Sequence, residues 1–233
     1  MINTVLFDLD GTLSTLDDKD FFRSYLKLLA PKFNHLIEPE RFIRQMLAST
    51  EVMKNNKDSG ISNMQSFFDH FNQELGLSQF ITWPIFMEFY QYTFPKLREL
   101  AKPVPGGREA VETALSKGFD VVIASNAVLP RVAMEERLRW AEVDHLPITY
   151  LPSIEDMHYC KPQVEFFSEL LAKTGKQPEQ CLMVGDDPVE DMVAGQLGVK
   201  TFLIETGGPQ GNLPYEPDYR GTMKDLRELI VSL

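Results

Sequence analysis

The chain has 233 residues, a formal net charge of −11, and a composition that is 43% hydrophobic, 11% aromatic and 24% charged. That mix excludes a disordered, collagen-like or coiled-coil chain, and the length suffices to bury a real core as one large domain or two small ones. The acid excess argues against a protein that coats nucleic acid, which needs clustered Lys and Arg against the phosphates, yet it leaves room for a small phosphorylated ligand held by one local cation.

The apolar runs, such as residues 121–124, fall far short of the roughly 20 residues that span a bilayer. No basic stretch followed by an apolar one marks a secretory leader, so the cytoplasm is the expected compartment and no membrane partner is expected. The two cysteines, Cys160 and Cys181, form no CxxC, and the four histidines show no metal-ligand spacing, which argues against a disulfide framework or a thiolate zinc site. Oligomeric state is left open.

Residues 3–7 are β-rich and run into Asp8-Leu9-Asp10-Gly11-Thr12-Leu13, where Gly11 permits a turn. From about residue 14 to 101 apolar residues recur at helical spacing, as in Phe21, Phe22, Tyr25 and Leu26, with Pro31, Pro39, Gly60 and Gly76 dividing the stretch into several helices and no strand between them. After Pro103 the pattern alternates. A helix over 107–117 stops at Gly118; a strand follows over 120–124; a helix over 129–140 carries Pro130 near its first turn; 148–151 reads as a weaker strand. A helix over 163–174, a strand over 181–184, a helix over 188–197 ending at Gly198, and a strand over 199–204 come next. A Gly/Pro-rich loop over 207–217 leads to a last helix over 223–231.

Apolar strands alternating with helices imply an α/β fold with a doubly wound, Rossmann-like parallel sheet covered on both faces. The long helical segment is expected to form an inserted all-helical cap over residues 15–100, with 1–14 and 101–233 as the core, hinged near 13–17 and 100–105. In such sheets ligands bind beyond the carboxyl ends of the strands. Asp8 and Asp10, Ser125 and Asn126, Lys161, and Asp186 with Asp191 are expected where the apolar runs end, so they should converge in one crevice.

Four motifs carry a resemblance: Asp8-Leu9-Asp10-Gly11-Thr12-Leu13, Ser125-Asn126, Lys161-Pro162, and Gly185-Asp186 followed by Asp191. In that order, over the whole chain, they resemble the haloacid dehalogenase (HAD) superfamily, and within it the phosphatases with a helical cap after the first strand. The resemblance implies Asp8 as the nucleophile that forms an aspartyl-phosphate and Asp10 as general acid and then base, its main-chain carbonyl also reaching a metal. Ser125 and the Asn126 amide would hold phosphoryl oxygens, and Lys161 would set a positive charge against the phosphate and Asp8. Asp8 and Asp186 beside a phosphate dianion call for a hard cation, so Mg²⁺ is the expected cofactor, on Asp8, Asp186 and the Asp10 carbonyl.

Three residues have two readings each. Thr12 holds the loop through its hydroxyl or acts directly. Asp187 caps the following helix in a box with Glu190, or supports the metal. Asp191 orients a metal-bound water or Lys161, or serves the helix start. The implied activity is hydrolysis of a small phosphorylated metabolite. A sugar phosphomutase keeps the same acids; a haloacid dehalogenase resembles its relatives in lacking the second acid, against which Asp10 stands; a non-catalytic phospho-ligand-binding module is the remaining alternative.

Residues 15–100 hold 15 of the 25 aromatics and are near neutral, with 10 Lys+Arg against 11 Asp+Glu, so the remainder of the chain carries nearly all of the acid excess. The aromatics are first a core for a small helical unit. Some, within 80–94, are candidates to line an apolar substrate pocket. Cys160, beside Lys161, reads as packing rather than a redox handle.

Overall fold

A computed structural model of the chain describes residues 1–16, 18–205 and 214–233. Five parallel strands form the central sheet in the order β4-β1-β5-β6-β7. They are β1 (Thr4–Phe7), β4 (Asp120–Ile123), β5 (Cys181–Gly185), β6 (Lys200–Ile204) and β7 (Tyr219–Gly221). Strand β1 lies inside the sheet between β4 and β5, and both its faces are apolar. Val5 and Phe7 pack to one side with Ala110 and Val111 of α5 (Gly107–Ser116) and with Leu226 of α8 (Met223–Ser232). Leu6 packs to the other with Phe166 and Leu170 of α7 (Val164–Thr174). That two-sided covering is the doubly wound arrangement.

The register places Phe7 beside both Ile123 and Val184, so β1, β4 and β5 end at one edge. The residues that follow them are Asp8, Ala124-Ser125 and Gly185-Asp186.

The chain leaves the sheet through β2 (Ser14–Leu16) and returns through β3 (Ala101–Pro103), which pair antiparallel. The expectation that no strand interrupts 14–101 is therefore corrected at both ends: the two linkers satisfy their backbone groups on each other. Asp17, at the end of the first expected hinge, lies outside the described residues.

Between the linkers run α1 (Asp18–Leu29), α2 (Pro39–Lys54), α3 (Asn63–Leu75) and α4 (Gln79–Tyr92), with 3-10 turns at Ala30–Phe33 and Phe94–Leu100. Their shared interior is built on rings, Phe33 stacked on Phe42 at 4.7 Å and set edge-on to Phe71. This cluster continues into α6 (Arg131–Trp140), where Trp140 stacks on Phe94 at 4.9 Å. The start of α3 is also tied to the loops of the sheet. Asn63 donates its main-chain N–H to the Met157 carbonyl (2.7 Å) and its amide to the Ala127 carbonyl (3.1 Å), and Met64 N–H reaches the Ile154 carbonyl (2.8 Å).

Other expectations need correction. Residues 148–151 make only a bridge, Tyr150 to Val122, because Pro147 and Pro152 bracket the segment and proline ends ladder pairing. Pro130 caps α6 from outside rather than lying in its first turn. The expected helix over 188–197 is a turn followed by a 3-10 helix, Met192–Leu197. Strand β7, three residues at the sheet edge, was not expected at all. Of the Gly/Pro-rich loop over 207–217, residues 207–213 lie outside the described residues.

Candidate active site

Asp8 follows the last residue of β1, its main-chain N–H bonded to the Val184 carbonyl at 2.9 Å and its side chain buried. The chain then reverses. Gly11 has φ +79°, and its N–H closes the turn onto the Ser14 carbonyl at 2.7 Å. A Cβ on Gly11 would stand 2.1 Å from Asp186 Oδ2, so both backbone conformation and space demand glycine here. Thr12, fully buried, donates its hydroxyl to Asp186 Oδ1 at 3.2 Å and links the first turn to the end of β5. Gly11→Ala should therefore displace Asp186, lowering turnover by about tenfold or more and stability by 1 kcal/mol or more, on the order of a strained backbone site. Activity and thermal melts on the same preparation check this.

Lys161 is 1% exposed, and its ammonium lies between two carboxylates: Nζ donates to Asp8 Oδ1 at 2.8 Å and to Asp191 Oδ1 at 2.5 Å. Asp191 is equally buried, and its Oδ2 accepts the Asp187 N–H at 3.1 Å. Gly185 makes room for it, since a Cβ there would stand 2.0 Å from Asp191 Oδ2. Asp187 is exposed, and its Oδ1 accepts the N–H groups of Val189 and Glu190 at 2.7 and 2.8 Å. The expected reciprocal bond from Glu190 is not made. Asp191 supplies the carboxylate to the Asp187 N–H instead, because the chain turns here rather than entering an α-helix.

Ser125 is buried at the end of β4 and lines a polar cavity of about 330 Å³ together with Asp8, Asp10, Asn126, Asp186 and others. The Asn126 side chain is turned to the Lys161 loop: Oδ1 accepts the Lys161 N–H at 3.2 Å, and Nδ2 lies 3.5 Å from the Lys161 carbonyl. It positions the lysine loop, which the sequence reading of Asn126 did not foresee.

Carboxylate oxygens of Asp8, Asp186 and Asp191 lie within 4.8 Å of one another. Burial, with Asp191 and Asp10 nearby, pushes the Asp8 carboxyl up to about 7 against the pull of Lys161. Burial and the neighbouring Asp8 push Asp186 up to about 6. Burial opposes the Lys161 charge, but Asp191 and Asp8 outweigh it and hold the ammonium above its ordinary range. One ammonium thus serves Asp8 and Asp191, while Asp186 has only the Thr12 hydroxyl recorded against it among the described side chains. A crowded set of hard oxygen donors short of positive charge suits a divalent cation.

Asp10 is half-buried, and its carboxylate forms an ion pair with the Arg137 guanidinium of α6, itself 4% exposed. Asp10 and Leu16 also border a second cavity, of about 540 Å³, that runs into the helical unit. Phe21, Phe22, Tyr25, Phe68, Trp83 and Tyr90 are among its walls. Of the aromatics within 80–94, Trp83, Phe86 and Tyr90 border this cavity, whereas Phe80 is 94% exposed. Cys160 is fully buried beside Asn63, and burial pushes its thiol up to about 12.

The haloacid dehalogenase-like hydrolase family matches residues 2–198. The chain belongs to that family. It is 27% identical to "Pyrophosphatase PpaX" of Bacillus cereus (strain AH820) over 238 residues, covering 98% of this chain and 96% of that one. Among solved structures it is similar to a HAD phosphatase from Thermococcus onnurineus, with a TM-score of 0.62 and 19% identity over 99% of this chain and 98% of that one. It is similar too to the L-2-haloacid dehalogenase RSc1362, with a TM-score of 0.59 and 18% identity over 99% of each. These two likenesses show the fold.

In this haloacid dehalogenase-like hydrolase, Arg137 is the site residue that motif reading missed. The signal was present as spacing. Pro130, Ala133, Met134, Leu138 and Ala141 are all buried, and position 137 falls within that helical stripe. A charged residue in an apolar stripe needs a buried partner, and here Asp10 provides it.

Proposed function

We propose that the chain is a Mg²⁺-dependent phosphomonoester hydrolase acting on a small phosphorylated metabolite in the cytoplasm through an aspartyl-phosphate intermediate. Residues 1–14 and 101–233 act as the catalytic core, and 15–100 as a cap. The observation that carries this reading is the placement of two acids. Asp8 is buried at the end of β1 with Oδ1 held by Lys161, and Asp10 borders both the polar cavity and the apolar one.

Asp8 attacks phosphorus through the oxygen that Lys161 does not take. The ester P–O bond breaks as the acyl-phosphate bond forms, and Asp10, in its protonated form and released from the Arg137 pairing, gives its proton to the departing alkoxide. Water then attacks the phosphoryl group, Asp10 takes a proton from it, and inorganic phosphate leaves with Asp8 regenerated. Ser125 and the Asn126 main-chain N–H grip phosphoryl oxygens, and Lys161 neutralises charge on the phosphate and on Asp8. Asp191 holds Lys161, Thr12 holds Asp186, and Asp187 shapes the turn between them. Asp8, Asp186 and the Asp10 carbonyl are the residues to hold Mg²⁺, which supplies charge neutralisation for the carboxylates and polarises the phosphoryl group. Relatives named pyrophosphatases support phosphoryl over carbon–halogen chemistry.

Phosphate release from a panel of phosphate monoesters should require Mg²⁺; no turnover of any phosphoester by folded, metal-supplied protein would overturn the reading.

Metal binding has its own expected signature. With the folded-state carboxyls of Asp8 and Asp186 raised to about 7 and about 6, the metal-free fold is favoured while they are protonated. It loses stability as pH climbs from the ordinary carboxylate range through those values. Saturating Mg²⁺ should therefore raise Tm by several degrees at about pH 8 and hardly at all at about pH 5, where protons compete for the same oxygens. Thermal melts at the two pH values with and without Mg²⁺ check this.

A further inference from the structure

The two cavities share only Asp10 and Leu16, and they differ in chemistry. The smaller one holds the carboxylates, Ser125 and Asn126, and fits a phosphoryl group. The larger, of about 540 Å³, lies within the size range of sites that enclose a whole small molecule. Its walls are mainly ring and aliphatic side chains. The charged groups along it are Glu51 and the Asp10–Arg137 ion pair at its inner end.

A general acid lies within hydrogen-bond reach of the bridging ester oxygen that it protonates; with the phosphoryl group in the polar cavity and Asp10 bordering both, the alcohol half beyond that oxygen enters the larger cavity. We infer that this enzyme's preferred substrates are phosphate monoesters of bulky, uncharged, apolar alcohols, with the alcohol half seated among Phe21, Phe68, Trp83 and Tyr90. The inference rests on the phosphatase reading and adds the substrate class. A second anionic group would meet apolar walls and an arginine already paired with Asp10, which leaves pyrophosphate poorly served. A sugar would bring several hydroxyls to a wall that offers few partners beyond the mutually bonded Tyr25 and Tyr90 hydroxyls (2.6 Å).

The test compares alkyl esters, so that leaving-group acidity stays nearly constant. kcat/KM is measured for ethyl phosphate, 2-phenylethyl phosphate, 2-cyclohexylethyl phosphate, glycerol 3-phosphate and pyrophosphate. At least one ring ester should exceed ethyl and glycerol phosphate by about tenfold or more, as expected for filling an apolar pocket, and pyrophosphate should be poorest. The two ring esters distinguish an aromatic from an alicyclic guest. Phe22 and Leu47 line the outer part of the cavity and are 43% and 45% exposed, so a lysine at either is compatible with folding. Leu47→Lys should shrink the ring-to-ethyl ratio, mainly through KM. Calorimetry of 2-phenylethanol with the metal-free protein should show binding that Leu47→Lys weakens.

Asp8-dependent hydrolysis of ethyl phosphate with no preference for the ring esters would overturn the substrate class and leave the phosphatase reading standing. If no ester is hydrolysed, the phosphatase reading falls, and failure of 2-phenylethanol to bind would remove the apolar seat as well.

Discussion

Asp8→Asn should abolish turnover while leaving the fold at least as stable as the parent. The loss in kcat should be on the order of 10⁴-fold or more, the scale seen when a nucleophile is removed from a covalent mechanism. Stability should move the other way. The Asp8 carboxyl, pushed up to about 7 by burial, favours the fold when protonated, so its ionised form penalises the metal-free protein once the pH passes that value. An amide of the same shape removes that penalty, and the Lys161 ammonium keeps its bond to Asp191. A phosphate-release assay paired with melts at about pH 8 in chelator reads both quantities. A dead enzyme whose Tm has also collapsed would point to a structural rather than a chemical role for Asp8. Full activity would remove the covalent mechanism.

Lys161→Met should be costly to the fold as well as to catalysis. Its ammonium is the cation recorded between Asp8 and Asp191, both of which are buried. Taking one partner from a buried charge network typically costs about 3–5 kcal/mol, because the remaining charges stay desolvated. For a chain of this size that corresponds to a fall in Tm of roughly 6–20 °C. The effect should be larger at about pH 8 than at about pH 5, since burial raises both Asp8 and Asp191 and protonation relieves the exposed repulsion. Adding Asp191→Asn should restore part of the lost stability without restoring activity, a coupling that thermal melts of the two single variants and the double variant would measure. A Tm within a degree or two of the parent would mean that the three groups are not energetically linked.

Much of this site is legible in the sequence because a parallel sheet makes position along the chain predictive of position in space. Each buried strand is a continuous apolar run, and each ends where a polar residue begins, so Asp8, Ser125 and Asp186 announce a common edge before any coordinate is known. Lys161 follows no strand, which corrects the expectation that it stands where an apolar run ends; it lies in the loop before α7. What stays hidden is whatever depends on contacts between distant segments. Strands β2 and β3 are three residues each and exist only because the two linkers meet. Strand β7 is a short edge with exposed Tyr219 and Arg220, lacking the apolar signature of its neighbours. The side chain of Asn126 is spent on the lysine loop, which no motif records. Arg137 sits among Glu135, Glu136 and Arg139, where its charge looks like one more solvated surface group; only the buried stripe around it marks it out.

The bonds from Asn63 and Met64 to the loops over 127 and 154–157 change what kind of motion the helical unit can make. A body joined to the sheet only through β2 and β3 would swing like a door. This one has a bolt on the far side as well, reinforced where Gln163 donates to the Lys54 carbonyl at 2.6 Å and Asn56 to the His158 carbonyl at 3.2 Å. With each such bond worth about 1 kcal/mol net, drawing all of them together makes the wide-open form a rare visitor, well below one molecule in a hundred. Everyday traffic then passes through the mouth beside Phe22 and Leu47, which stays exposed while the bolt is shut.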